Sequence, residues 1–255
     1  MDTENRYGTL EMQKYYVPIL DDIDQLCRTN DIKYSLSDGT LIGAIRHKGF
    51  IPWDDDIDLS FDRENYNKLL KVLETQLPNK YEVIYDMWVR RISRKDNPQK
   101  EAIPPEGCID LFVFDNAPDG KIANTTKNLL LKMLQGMLKR EVSYEGFSVG
   151  YKVMLFATHW IGKLFPKRVK QNWYERLSQW GNKNKTKYQA RYSCSFRYIS
   201  GVRYKWGLTD EYTEVEFEGK KYMSVKDYDH FLTMDYGDYM TPPSEDKQIP
   251  KHIIK

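Results

Sequence analysis

The chain has 255 residues, 40% of them hydrophobic, with 39 Lys and Arg against 37 Asp and Glu for a formal net charge of +2. That length and apolar content suffice for a buried core in one large domain or a core with an elaboration, while the near-balance of charge removes the basic field of a nucleic-acid binder, so no nucleic-acid partner is expected. Cys27, Cys108 and Cys194 are odd in number and lack C-x-x-C spacing, which excludes a zinc or disulfide framework and points to a reducing cytoplasm; the acidic start Met1–Asn5 is unlike a signal peptide, and no stretch approaches the roughly 18 apolar residues of a membrane span.

Met12, Tyr16, Ile19, Leu20, Ile23, Leu26 and Cys27 recur at helical spacing and predict an amphipathic helix from about Leu10 to Arg28, with Pro18 inside it. Ile32, Tyr34 and Leu36 alternate with polar residues as a half-buried strand ending at Asp38-Gly39. Leu41 to His47 then reads as a short helix closed by Gly49. After Pro52 a second strand sets Ile57, Leu59 and Phe61 on one face and Asp56, Asp58 and Ser60 on the other. Asp62 is placed to cap a helix whose stripe Tyr66, Leu69, Leu70, Leu73 and Leu77 runs to Pro78.

Tyr81 to Tyr85 and Val89 to Ser93 read as strands, followed by a polar loop through Pro98, Pro104 and Pro105. Cys108 to Phe114 is an apolar run fit for a central strand, and Asp110 is its one charge. An unpaired ion there costs several kcal/mol, so a cation partner or a proton is required. From Asn124 to Trp180 the pattern turns helical, with the basic, apolar block Leu129–Arg140 and Phe165-Pro166-Lys167-Arg168, which is suited either to core packing or to peripheral contact with a membrane surface. A hairpin around Glu218-Gly219, a helix from about Lys226 to Met234 and a Pro-containing tail complete the chain.

A strand, a Gly-Thr turn into a helix, a strand bearing Asp-x-Asp and a third acid on a later strand are the parts of a metal-dependent phosphoryl-transfer site of the nucleotidyltransferase type. Backbone N–H groups at Asp38-Gly39-Thr40 suit phosphate oxygens. Asp56 and Asp58 would hold Mg2+, with Mn2+ as the substitute, on a pyrophosphate, and Asp110 would complete the site or position the attacking hydroxyl. Arg46, His47 and Lys48 either compensate the helix dipole or neutralise donor phosphates, His47 being a candidate proton carrier. Arg90 and Arg91 invite the same suggestion. Asp54 and Asp55 are read as caps or as a supporting layer around the ligands. An EF-hand loop starting at Asp54 fails, because it needs glycine at Leu59 and glutamate at Asn65. A glycosyltransferase Asp-x-Asp site stays open on the residues alone.

The run from Asp38-Gly39-Thr40-Leu41-Ile42-Gly43 through Arg46-His47-Lys48-Gly49-Phe50-Ile51-Pro52-Trp53-Asp54-Asp55-Asp56-Ile57-Asp58 closely resembles the signature of the LicD/fukutin family. Ile109–Asp115 resembles its second block, with Phe112-Val113 in place of the usual Phe-Pro, and Tyr236–Met240 with Pro242-Pro243 resembles its C-terminal block. The resemblance implies transfer of a phospho-alcohol, such as phosphocholine or ribitol phosphate, from a CDP-linked donor to a hydroxyl of a glycan or lipid-linked glycan acceptor. The fold expected is α+β: a nucleotidyltransferase-like mixed sheet with flanking helices over residues 1–120 and a helical and mixed elaboration over 121–255, packed as one unit with that core. The function expected is Mg2+-dependent phosphocholine transfer from CDP-choline with release of CMP. The rivals are a nucleotidyltransferase acting on CTP and a silent glycan- or membrane-binding module.

Overall fold

The computed structural model of the chain describes residues 6–77, 79–100, 106–182, 186–194 and 202–250. The acidic start Met1–Asn5, the helix stop Pro78 and the loop prolines Pro104 and Pro105 lie outside the described residues. In chain order the elements are α1 (Leu10–Thr29), β1 (Ser35–Leu36), α2 (Asp38–His47), β2 (Ile57–Asp62), α3 (Arg63–Gln76), β3 (Tyr81–Asp86), β4 (Val89–Arg94), β5 (Cys108–Ala117), α4 (Lys121–Leu138), α5 (Val149–Gly162), α6 (Lys167–Ser178), β6 (Tyr188–Arg191), β7 (Tyr204–Lys205), β8 (Tyr212–Phe217), β9 (Lys220–Val225) and α7 (Tyr228–Tyr236). The class is α+β, as expected. Contacts divide the chain into two compact units, one of Met1–Ile84, Arg90–Phe112 and Gly207–Lys255, the other of Tyr85–Val89 and Val113–Trp206. The expected division at residue 120 follows chain order, whereas these units follow contacts, and the segment from Gly207 onwards returns to the first.

In the first unit the strands run in the order β1-β2-β5-β4-β3, so β5 is central. α1 buries Tyr16, Ile19, Leu20, Ile23, Leu26 and Cys27, the stripe its spacing predicts, and passes through Pro18 as one helix. The Asp62 carboxylate caps α3, its Oδ1 accepting from the Asn65 N–H at 2.8 Å. The β8–β9 hairpin turns at Glu218 and Gly219 with φ of 49° and 73°, the left-handed pair that a two-residue turn demands. Its Glu218 then holds the end of α2: Oε1 accepts from Phe50 N at 3.0 Å, and Glu218 N donates to the Lys48 carbonyl at 2.9 Å.

In the second unit the last residues of β5 pair with β6, Phe114 opposite Arg191, and β6 pairs with β7. Two glycines let helices approach: a Cβ on Gly136 would lie 2.2 Å from Thr158 Oγ1, and one on Gly162 2.4 Å from the Met137 carbonyl oxygen. The fully buried Lys127 donates to the carbonyls of Asn116, Ser178 and Trp180 at 2.8–2.9 Å, so its charge is offset by three dipoles. The strands β6 and β7 were not expected from the sequence.

Candidate active site

The site grows out of the β1–α2–β2 segment of the first unit. β1 and β2 are antiparallel, with Leu36 opposite Leu59, and the Ser37 N–H continues the ladder to the Asp58 carbonyl at 2.9 Å. α2 starts at Asp38, three residues before the expected Leu41, so Gly39 and Thr40 are its first turn rather than a loop before it. The left-handed residue at this start is Asp38, with φ of 47°; the glycine answers a different need. A Cβ on Gly39 would stand 2.4 Å from Asp54 Oδ2, so only glycine lets the acidic loop lie against the helix start. The helix ends on Lys48 in the left-handed region, φ 60°, and this corrects the expected closure by Gly49.

β2 begins at Ile57, so Asp56 lies one residue before the strand that carries Asp58. Asp54, Asp55 and Asp56 lie in the irregular segment between a turn at Pro52-Trp53 and β2, and their carboxylates offer oxygens within 4.8 Å of one another. Backbone contacts fix that turn: Asp54 N donates to the Ile51 carbonyl at 2.8 Å, Gln13 Nε2 donates to the Asp54 carbonyl at 2.8 Å, and Thr9 Oγ1 donates to the Pro52 carbonyl at 2.7 Å. Convergence of three hard oxygen donors fits a small divalent cation such as Mg2+ or Mn2+ and suits no soft metal. The ligands expected from the sequence were Asp56, Asp58 and Asp110, with Asp54 and Asp55 outside the set. Asp54 and Asp55 stand with Asp56 in this cluster, while Asp56 is also the largest charge acting on Asp58.

Asp58 is 7% exposed, and its acidity is weakened first by burial and then by Asp56, Asp38, Asp110 and Asp54, in that order. All five acids therefore act on one small region. The same field reaches Tyr16 of α1, whose hydroxyl is pushed up by burial and further by Asp56 and Asp110. Thr40, itself buried, accepts from Asp58 N at 2.9 Å, so its hydroxyl fixes β2 to α2.

Asp110 has the cation partner its place demanded. β4 and β5 are antiparallel with Arg91 opposite Asp110, and the guanidinium grips the carboxylate twice, Nε to Oδ1 at 2.5 Å and Nη2 to Oδ2 at 3.1 Å. Arg90 leans on Tyr66, donating to its hydroxyl at 3.1 Å. The three cations at the end of α2 diverge. Arg46 is half-buried, donates through Nη1 to the Tyr239 carbonyl at 2.8 Å, and has its acidity raised by burial against the opposing pull of Asp54. His47 and Lys48 are exposed, yet the partial burial of the His47 ring and then Arg46 keep its imidazole neutral to lower pH than usual.

A pocket of about 390 Å³ opens here, its lining including Gly39, Arg46, Trp53, Asp54, Tyr236 and Tyr239. Of the expected phosphate-binding residues, Gly39 and Arg46 line it; Asp38 adjoins it through a 2.7 Å hydrogen bond from the Tyr236 hydroxyl to its Oδ1. Trp53, Tyr236 and Tyr239 were not among the candidate residues. Their signal was present: Trp53 sits inside the acidic block, and both tyrosines lie in the C-terminal block whose resemblance was noted without a role.

A family model described as LicD/FKTN/FKRP, nucleotidyltransferase domain, matches residues 31–128. Similar proteins include the lipopolysaccharide cholinephosphotransferase LicD of Haemophilus influenzae, 28% identical over 268 residues that cover 95% of each chain. An uncharacterized protein of Rickettsia typhi is 32% identical over 101 residues, 40% of this chain and 29% of its own, and one of Rickettsia prowazekii is 34% identical over 95 residues, 37% and 31% respectively. The matched span contains Asp38, Arg46, the acids Asp54 to Asp58, Arg91 and Asp110. Residues 31–128 thus match the LicD/FKTN/FKRP nucleotidyltransferase domain, and the chain is similar along nearly its whole length to a LicD cholinephosphotransferase.

Proposed function

We propose that this chain is a cholinephosphotransferase that moves phosphocholine from CDP-choline to a glycan hydroxyl of lipopolysaccharide and releases CMP. The observation that carries the reading is the convergence of Asp54, Asp55 and Asp56 within 4.8 Å, with Asp54 also lining the pocket that Arg46 lines. The similarity to the Haemophilus influenzae enzyme supports the choice of phosphocholine and lipopolysaccharide.

Asp54, Asp55 and Asp56 would hold Mg2+ or Mn2+, which when bound supplies charge neutralisation on the donor pyrophosphate. Arg46 donates charge-assisted hydrogen bonds to donor phosphate oxygens from the side of the pocket. Trp53, Tyr236 and Tyr239 give the donor apolar walls. Asp58, kept protonated more readily than an exposed acid, limits the negative charge that meets the donor. Asp110, oriented by Arg91, receives the acceptor hydroxyl; that oxygen bonds to the choline-bearing phosphorus, the phosphorus–oxygen bond to the CMP phosphate breaks, and the hydroxyl proton leaves to a carboxylate.

Incubation with CDP-choline, CDP-ribitol and CDP-glycerol in Mg2+, with lipopolysaccharide as acceptor, tests the reading by product. CMP formed from CDP-choline and phosphocholine found on the acceptor are expected. Pyrophosphate formed from CTP would assign a nucleotidyltransferase instead, and no turnover of any donor would leave a binding module.

A further inference from the structure

The second unit carries an apolar surface that its own packing does not use. α5 packs through Leu155, Thr158 and Gly162, which are buried. Val149, Val153, Phe156 and Trp160, continued by Leu164 just past the helix, recur every three or four residues on the opposite side and are 53–77% exposed. Single exposed apolar residues are ordinary, whereas a contiguous stripe of five marks a contact surface.

Charge selects the partner. From Gly146 to Tyr174 the chain has five Lys and Arg and no Asp or Glu, although the whole chain is nearly balanced at 39 against 37. Lys152, Lys163, Lys167 and Arg168 are exposed beside the stripe, and Lys163 Nζ lies 3.8 Å from the centre of the Trp160 ring. Cores of protein interfaces are depleted in lysine, whereas an in-plane helix at a bilayer surface combines aromatic and aliphatic anchors with flanking lysines whose stems reach up to the headgroups. Among the described residues no helix is long and apolar enough to cross a membrane. We propose that the exposed face of α5 docks in the plane of an anionic lipid bilayer, with Phe156 and Trp160 entering the interface and Lys152 and Lys163 meeting lipid phosphates.

Sedimentation of the full chain with phosphatidylcholine vesicles, with and without about 30 mol% phosphatidylglycerol, tests this without reference to catalysis. Binding to the anionic vesicles is expected, roughly tenfold or more tighter than to the neutral ones and weakened in high salt. F156E/W160E should lose at least about tenfold in partition while keeping the wild-type melting temperature. If that variant is less stable, K152E/K163E, altered only at exposed side chains, must show the loss. Absence of wild-type binding, or unchanged binding by K152E/K163E, overturns the proposal. So does a wild-type dimer that F156E/W160E converts to monomer, since that outcome assigns the face to a second copy.

Discussion

Replacing Gly39 by alanine should separate stability from function. The added Cβ would lie 2.4 Å from Asp54 Oδ2, and ordinary contact begins at 3.4 Å, so the carboxylate must retreat by about 1 Å. Its backbone cannot follow, being held by the Ile51 carbonyl and by Gln13. The side chain must therefore turn away from Asp55 and Asp56. Misplacing one catalytic group by about 1 Å costs on the order of 100-fold in rate. Stability moves the other way: Gly39 has no positive φ and lies in the first turn of α2, where alanine is the better helix former by up to about 1 kcal/mol. CMP release, Mn2+ affinity and the melting temperature of G39A should show lost turnover, weakened metal binding and an unchanged or raised melting temperature. Wild-type turnover and metal affinity in G39A would refute the placement of Asp54 in the metal site.

R91A leaves the Asp110 carboxylate, 18% exposed, without its guanidinium and should destabilise the chain by about 3 kcal/mol in urea denaturation, while R91M/D110L, which removes both charges, should recover most of that loss; equal instability of the two variants would show that the pair matters for packing instead. R46A should lower kcat/KM for the CDP-linked donor by roughly 10- to 150-fold, the equivalent of about 1.5–3 kcal/mol of charge-assisted hydrogen bonding, and K48G should leave kinetics intact while gaining up to about 1 kcal/mol from relief of the left-handed Lys48. Tyr81 and Tyr222 donate to Asp22 and Asp21, and burial together with these carboxylates raises both phenols above their unfolded value. The folded state thus holds protons that the unfolded state releases above about pH 10, so stability is intact below that pH and falls as pH rises. A melting temperature that drops between about pH 9 and 11, less steeply in Y222F, is the expected result, and a flat profile removes the claim.

Local signals carried much of the fold into the sequence. The spacing of Tyr16 to Cys27 gave the buried face of α1, Asp62 capped where it stood, and Glu218-Gly219 turned the hairpin. Each of these depends on neighbours within a few residues. β6 did not announce itself, because Gln189 and Arg191 break any apolar alternation and the strand exists through its pairing with Phe114 to Ala117, more than 70 residues earlier. The need of Asp110 for a cation was legible from one charge in an apolar run. The identity of that cation was not, since it depends on the register that sets Arg91 opposite it.

The acids show how the reading of a motif depends on where a strand begins. Alternation with apolar residues placed Asp56 and Asp58 on one strand face, an argument that holds only while both residues are in the strand. The 2.8 Å bond from Asp54 N to the Ile51 carbonyl closes a turn at Pro52-Trp53, an irregular segment follows through Asp56, and extended pairing starts at Ile57. A strand sends successive side chains to opposite faces, whereas an irregular segment lets three consecutive acids converge. Asp58, on the strand proper, is buried, and burial together with Asp56 raises its pKa. The glycine that makes room for this segment is Gly39, and it sits 15 positions before Asp54. The Gly-Thr helix start and the acidic segment, read from the sequence as two motifs in series, are packed against each other, because Asp54 occupies the space that Gly39 leaves free.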